Sequence, residues 1–171
     1  YLACVYSGKD RCAIAWIDIS TGEFSVCEEE DDSIESVRDI LSMISPAEII
    51  CNKKAKEESE KISDIRLGKL PAFTAFGEEN FKFSRAEELL NRHFASSTLD
   101  GFGLKGKEHS ISACGALMAY IYETQKRALT HINSVKYVNN ASYMFMDQHT
   151  RTNLEILQCA RDSKRKASLL W

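Results

Sequence analysis

Apolar positions near the start of the chain follow the pattern of three β-strands. Residues 1–7, 12–19 and 23–27 are rich in apolar side chains, and Gly8-Lys9-Asp10 and Ser20-Thr21-Gly22 separate them with turn-forming residues. Because both turns are short, we expect the three strands to pair antiparallel in sequence order.

The pattern then alternates between helix and strand. A helix should begin at a capping-box variant formed by Asp32 and Glu35, because the apolar residues that follow recur at helical spacing. These residues are Ile34, Val37, Leu41 and Ile44. A short strand over residues 48–51 comes next, and the helix before it predicts a crossover to a parallel position. Residues 53–61 are charged nearly throughout and predict a solvated helix.

A weaker strand and a third helix complete this first unit. Pro71 restricts the strand over residues 70–76 to an edge of the sheet. Ser84 and Glu87 have capping-box spacing, and the helix that they start should bury its apolar face. That face comprises Ala86, Leu89, Leu90 and Phe94. The order β-β-β-α-β-α-β-α predicts an α/β fold, a mixed five-stranded sheet covered by helices in the ribonuclease-H-like arrangement.

Residues 95–107 interrupt the alternation and have the composition of a junction. Ser96-Ser97-Thr98 precedes a glycine-rich stretch, in which we interpret Asp100, Gly101, Gly103 and Gly106 as a candidate hinge. We therefore predict two domains, a ribonuclease-H-like domain over residues 1–107 and an incomplete, mainly α unit over residues 108–171.

The second unit should contain a helix over residues 110–129, a hairpin around Asn139-Asn140 and a helix over residues 150–160. The hairpin would join residues 132–137 to 143–146, and the last helix would bury Leu154 and Leu157. These elements cannot close a core alone. The chain also begins inside an apolar strand and stops on apolar residues, so we expect it to be a piece of a longer protein.

Composition narrows the function classes. Apolar residues make up 44% and charged residues 27% of the chain, and the net charge is −3. These values are ordinary for a globular protein, they do not favour direct nucleic-acid binding, and no apolar run is long enough to span a bilayer. The six cysteines form no CxxC pair, and most lie in apolar stretches, which predicts buried free thiols and a cytoplasmic location.

Residues 101–108 nearly satisfy the phosphate-loop pattern. Glu108, however, stands where a hydroxyl should hold magnesium, and no apolar strand leads into the loop. We therefore predict no nucleotide site, and no cofactor or metal for this chain. The four histidines lack the spacing of metal ligands. The acidic residues 28–32 lack the spacing of a calcium loop, and we interpret this acidic run as a solvated helix start.

A ribonuclease-H-like sheet raises the alternative of a metal-dependent nuclease. Such enzymes carry one aspartate on the first strand and another at the end of the fourth, whereas here the first strand contains no carboxylate and the fourth ends in Cys51-Asn52-Lys53. Asp18 is expected to buttress the turn after the second strand. A further alternative is an autonomous DNA-binding module, with Lys164, Arg165 and Lys166 as candidate weak phosphate contacts.

Five stretches of the chain together resemble the MutS family of DNA mismatch-repair proteins. They are Ile17-Asp18-Ile19-Ser20-Thr21-Gly22-Glu23-Phe24; Ser45-Pro46-Ala47-Glu48-Ile49; Leu99-Asp100-Gly101-Phe102-Gly103; Ala116-Leu117 through Glu123-Thr124-Gln125-Lys126 with Leu129 and His131-Ile132; and Met146-Asp147, Thr150-Arg151 and Asn153-Leu154-Glu155 with Lys164-Arg165-Lys166 and Ser168-Leu169-Leu170-Trp171. Where the family commonly has glycines before the basic loop, this chain has Ala160-Arg161-Asp162-Ser163.

The resemblance implies a connector domain followed by the start of the core and lever domain. It implies that this chain contains no catalytic residue. It also implies that the connector transmits conformational change between mismatch binding and the ATPase state, and that a MutL-type partner docks on it. The longer protein would bind mismatched DNA and use ATP with magnesium through regions outside this chain, and it would form a homodimer.

Overall fold

Three antiparallel strands open the fold, as the sequence predicted. The computed structural model describes residues 1–30, 34–61, 70–125 and 129–139, together with Leu154. Strands β1 (Leu2–Ser7), β2 (Cys12–Asp18) and β3 (Glu23–Glu29) pair in sequence order through short turns.

Two further strands extend the sheet on the other side of β1. Helix α1 (Ile34–Ile44) carries the chain to β4 (Glu48–Cys51), which pairs parallel with β1, so the predicted crossover is confirmed. Helix α2 (Lys53–Lys61) then leads to β5 (Phe73–Ala75), which pairs parallel with β4 and forms one edge of the sheet. Strand β5 is shorter than the predicted segment 70–76.

Within the part of the chain that the structure describes, the sheet has six strands, in the order β5-β4-β1-β2-β3-β6, where the sequence predicted five. The additional strand, β6 (Lys136–Tyr137), pairs parallel with β3, and the Val138 amide donates a hydrogen bond of 2.8 Å to the Val26 carbonyl. The sequence predicts a hairpin arm of the second unit over residues 132–137, because alternation alone does not distinguish a hairpin arm from a strand that pairs with an open edge. The other arm of that hairpin, residues 143–146, lies outside the described residues.

Helices α1 and α2 cover one face of the sheet. Val37, Leu41 and Ile44 of α1 are buried as predicted, and they pack against strand residues such as Ile14 and Ile49. The predicted cap at Asp32 lies outside the described residues. On the charged helix α2, Ala55 is fully buried, and three ion pairs with i,i+4 spacing connect its lysines and glutamates on the surface.

Helices α3 (Phe83–His93) and α4 (Glu108–Thr124) cover the opposite face. Every residue of α4 from Ser110 to Met118 is buried, because the helix lies between the sheet and α3. Small side chains make this possible: a Cβ atom placed on Gly115 would collide with both the Cβ and the Cα of Ala86 on α3. No helix in the described part of the chain has the length and apolar character needed to cross a membrane.

The predicted capping box at the start of α3 is wrong. The helix begins at Phe83, its N-cap is Lys82, and no side chain caps it, so Ser84 lies inside the first turn and is exposed. Lys82 has an extended backbone, and the Ala86 amide donates to its carbonyl over 2.9 Å. The apolar face is confirmed, with Ala86 and Leu90 buried and Leu89 and Phe94 packed against the core.

The predicted domain boundary after residue 107 does not coincide with the division of the structure. The chain forms two compact units, Tyr1–Asn139 and Asn140–Trp171. The helix expected to open the second unit is α4, which is apolar on nearly all sides and therefore packs into the first. Leu154, expected to be buried, is 54% exposed. Helical spacing identifies an apolar face, but only neighbouring groups can bury it.

A buried carboxylate connects β3 to α4. Glu28 has a side chain only 3% exposed, and its Oε1 accepts a hydrogen bond of 2.9 Å from the Ser110 amide in the first turn of α4. Its Oε2 lies 3.9 Å from Arg11 Nη1 and 3.9 Å from Lys107 Nζ. The interpretation of residues 28–32 as a solvated helix start is therefore wrong for Glu28, which neutralises two cations and the positive end of the helix dipole.

The close approach of α3 and α4 predicts that Gly115→Ala destabilises the fold. The added methyl group would collide with the Ala86 backbone, so the helices must separate, at a cost of about 1–3 kcal/mol. Urea denaturation measures the change. Gly101→Ala is the matched control, since a Cβ atom there meets nothing within 4 Å. Equal stability of the Gly115 variant and the unchanged chain would contradict this packing.

The burial of Glu28 predicts that Glu28→Ala costs about 1–3 kcal/mol in urea denaturation, because the Ser110 amide loses its acceptor. Glu28→Gln keeps an acceptor oxygen and should lose less. Glu30→Ala is the control: Glu30 is also 3.9 Å from Arg11, but its side chain is 90% exposed. The same measurement should show almost no change there. Equal losses for Glu28→Ala and Glu30→Ala would contradict a buried role for Glu28.

Candidate functional site

A cleft of about 350 Å³ lies at the carboxyl ends of β1 and β4. The two strands are parallel neighbours, but the chain continues from them towards opposite sides of the sheet. Strand β1 is followed by β2 on one side, and β4 is followed by β5 on the other. In open α/β sheets this reversal creates a crevice in which ligands bind. The lining residues come from β1, the position after β4, the 3-10 helix Glu78–Phe81 and the starts of α3 and α4. They are Tyr6, Asn52, Glu78, Phe81, Lys82, Phe83, Glu108, His109 and Ser112.

Asn52 forms the base of this cleft and has a structural role. Its Oδ1 accepts from the Ser7 amide over 3.1 Å and from the Ala55 amide over 3.3 Å, and its Nδ2 donates to the Ser7 carbonyl over 3.0 Å. The side chain therefore joins the end of β1 to the first turn of α2, in the manner of a helix N-cap.

Tyr6 forms the aromatic wall. Its ring stacks on Phe81 with centroids 5.6 Å apart and is tilted against His109 at 5.7 Å. Burial raises the pKa of the Tyr6 phenol, the nearby Glu78 and Glu108 carboxylates raise it further, and the Lys54 ammonium acts in the opposite direction. The phenol therefore stays protonated at neutral pH and can donate a hydrogen bond.

The side chains at this sheet end differ from those of a ribonuclease-H-like nuclease. Such enzymes place aspartates on the first strand and at the end of the fourth, whereas β1 contains no carboxylate here and β4 is followed by Asn52. The cleft contains two carboxylates, Glu78 and Glu108. Within residues 1–30, 34–61, 70–125 and 129–139, His, Cys, Asp and Glu side chains form no group of three or more that could hold a metal ion.

The candidate hinge residues lie between two helices that pack on each other. Asp100 and Gly101 belong to the 3-10 helix Asp100–Phe102, and Gly103 and Gly106 have positive φ angles of 76° and 69°. Leu104 between them is fully buried. This segment therefore joins α3 to α4 within the first compact unit and does not separate the two units.

The glycine-rich segment also does not fit a nucleotide. The amide groups at a helix N-terminus can bind phosphate, but the first turn of α4 already contacts the Glu28 carboxylate. Lys107 lies 3.9 Å from the same carboxylate and 4.8 Å from the centre of the Tyr137 ring. A phosphate would have to displace Glu28 and approach Glu108 as well.

Asp18 has the role that the sequence predicted. Its Oδ1 accepts from the Ser20 amide over 2.8 Å and from the Ser20 hydroxyl over 2.6 Å, and the Gly22 amide donates to its backbone carbonyl. The hydrogen bonds from Ser20 lower the pKa of the Asp18 carboxyl. The carboxylate therefore stabilises the turn between β2 and β3.

Two histidines bind backbone carbonyls, and the sequence did not reveal this. His93 Nε2 lies 2.6 Å from the Ile132 carbonyl and must carry the proton, so in the neutral ring Nδ1 accepts from the Tyr122 hydroxyl, also at 2.6 Å. His131 Nε2 donates to the Ile19 carbonyl over 2.6 Å. These contacts attach His131 and Ile132 to α3 and to the β2–β3 turn. Rules for the spacing of metal ligands do not predict them.

The cysteines of the described chain are buried free thiols, as predicted. They are Cys4, Cys12, Cys27, Cys51 and Cys114. Burial raises the pKa of Cys4 and Cys114 well above the usual value and that of Cys51 to about 12. Cys159 and the candidate phosphate contacts Lys164, Arg165 and Lys166 lie outside the described residues.

The hydrogen bonds from Ser20 predict that Ser20→Ala raises the Asp18 pKa towards its ordinary value of about 3.9. A depressed folded-state pKa stabilises the fold above the unfolded-state value, and this contribution is lost as pH falls through the folded-state pKa. Carboxyl carbon NMR titration measures the pKa directly. Ser97→Ala, at an exposed and distant position, should leave it unchanged. An unaltered Asp18 pKa in Ser20→Ala would show that the hydroxyl contributes nothing.

Comparison with known proteins identifies relatives along the whole chain. The DNA mismatch repair protein MutS of Halothermothrix orenii is 37% identical over 170 residues, which cover 99% of this chain and 19% of the relative. The proteins of the same name from Lachnoclostridium phytofermentans and Salinibacter ruber are 30% and 32% identical, and the matched segments cover 100% and 99% of this chain. They cover 18% of each relative, so the chain spans about a fifth of the length of the relatives that it matches.

A family model described as MutS domain II matches residues 1–133. The match extends past the predicted boundary at residue 107 and includes α4 and the segment that the two histidines hold. It therefore covers most of the first compact unit, Tyr1–Asn139. Because the match covers more than half of its residues, this chain belongs to the MutS family, in the part of it known as MutS domain II.

Proposed function

We propose that this chain is a non-catalytic connector in a MutS-type mismatch-repair protein. It would transmit conformational change between the mismatch-binding region and the ATPase of that protein. The observation that carries the proposal is the match of residues 1–133 to MutS domain II. The fold supports it, because helices cover both faces of the sheet and the buried α4 joins the sheet to α3. A domain packed in this way moves as one body when its neighbours change position.

The side chains of the cleft support a non-catalytic role. Asn52 uses its amide to join β1 to α2, and Tyr6 stacks on Phe81, so these side chains at the ends of β1 and β4 serve hydrogen bonding and packing. Glu28 fills the helix end that a phosphate would need. We therefore assign ATP and magnesium to other parts of the longer protein.

The proposal also concerns partners. A MutL-type protein would dock on this domain, and mismatched DNA would contact the longer protein elsewhere, in keeping with the net charge of −3. That longer protein would act as a homodimer. A cytoplasmic location is supported by five buried free thiols, which are characteristic of a reducing compartment.

Binding to a MutL-type protein from the same organism tests the docking part. With that protein immobilised, the 171-residue chain should bind in a saturable way. Ile14→Asp is the control, because it places an unpaired carboxylate in the centre of the sheet and unfolds the domain. Binding should disappear in this variant if docking needs the folded surface. No binding by a chain whose circular dichroism and thermal unfolding are normal would remove the docking claim.

A further inference from the structure

The cleft at the ends of β1 and β4 combines an aromatic wall with an acidic rim. Tyr6 and Phe81 stack at 5.6 Å with an interplanar angle of 15°, and Phe83 extends the apolar surface at the start of α3. Glu78 and Glu108 lie on the rim, at the starts of the 3-10 helix and of α4. The proposed connector function assigns no ligand to this cleft.

The carboxylates leave the cleft with an excess of negative charge. Glu78 Oε1 accepts from the Lys53 amide at the start of α2, and its second oxygen makes no contact of this kind within the described residues. Glu108 is exposed, and no lysine or arginine in the described part of the chain forms an ion pair with it. Both carboxylates lie close enough to Tyr6 to raise its pKa.

The positive groups around the cleft offset this charge only partly. Lys82 is exposed on the rim. The Lys54 ammonium donates to the Gly8 carbonyl and lies 3.7 Å from Glu58. His109 faces Asp10, with its Nε2 3.7 Å from the Asp10 carboxylate.

A polar side chain on the cleft wall is a second indication of a ligand. Ser112 on α4 lines the cleft with only 3% of its surface exposed, and its hydroxyl makes no hydrogen bond to any residue that the structure describes. Buried polar groups normally have a partner, from the protein, from water or from a ligand. A ligand with hydrogen-bond donors would supply one here.

We propose that this cleft binds the arginine side chain of a basic protein segment. The methylene groups would pack against Tyr6 and Phe83, and the guanidinium group would lie between the Glu78 and Glu108 carboxylates, with one N–H donated to the Ser112 hydroxyl. A guanidinium group suits this site better than an ammonium group, because it is planar, stacks on aromatic rings and is weakly hydrated. The same carboxylates repel phosphate, so the cleft favours protein over nucleic acid. This inference does not depend on the docking of a MutL-type protein.

Titration with a capped Gly-Arg-Gly peptide, followed by the backbone amide NMR signals of the 171-residue chain, tests the proposal. Saturable shifts are expected at Tyr6, Phe83, His109 and Ser112, with a dissociation constant on the order of 1 mM for a single side chain. The same peptide with citrulline, which is isosteric but uncharged, should cause no saturable shift. Equal binding of the citrulline peptide would overturn the assignment of a cation.

Variants locate the binding within the cleft. Glu108→Gln and Glu78→Gln should each weaken the arginine peptide by about tenfold, since each removes one charge-assisted contact. The side-chain amide oxygen in the Glu78→Gln variant would still accept from the Lys53 amide, so the fold should remain intact. Glu88→Gln, on the exposed side of α3, is the matched control and should bind normally. Unchanged binding in both cleft variants, or the same shifts with an oligonucleotide, would refute the proposal.

Discussion

The packing of α4 between the sheet and α3 is the constraint on which the rest of this structure depends. Its residues from Ser110 to Met118 are buried, and the absence of a side chain at Gly115 allows the two helices to approach until Ala86 fills the space. This contact sets the position of the α4 N-terminus, and therefore of Glu108, His109 and Ser112 in the cleft. It also makes residues 108–124 part of the first compact unit, in agreement with the MutS domain II match.

A buried charge cluster fixes the same helix end electrostatically. Glu28 on β3 accepts from the Ser110 amide and lies between Arg11 and Lys107, so the strand edge, the β1–β2 turn and the start of α4 share one carboxylate. The cost of burying this carboxylate is offset because it has both a hydrogen bond and opposite charges. The loop before α4 resembles a phosphate loop in sequence, yet the site that a phosphate would occupy already holds an internal anion.

The sheet end where α/β proteins commonly bind ligands is still open in this domain, although its side chains are not those of a nuclease. Tyr6 and Asn52 occupy the ends of β1 and β4, and each is fixed by neighbours, Tyr6 by stacking and Asn52 by three hydrogen bonds. A fold shared with metal-dependent enzymes can therefore serve another function when its sheet end lacks the carboxylates that hold the metal.

The sequence alone determined the local elements. Its apolar periodicity predicted the strands and the buried face of α1, and its short turns predicted antiparallel pairing and the role of Asp18. The helix before β4 predicted the parallel position of that strand, and Pro71 predicted the edge position of β5. Such features depend on neighbours within a few residues. Only the tertiary structure decided that α4 joins the first unit, that Lys136–Tyr137 adds a sixth strand, that Glu28 is buried and that Glu78, Glu108 and Ser112 share a cleft. These features depend on contacts between residues far apart in the chain. A glycine-rich segment is polar and turn-forming both within a domain and between two domains. Its sequence therefore does not reveal whether the next helix packs on the same sheet.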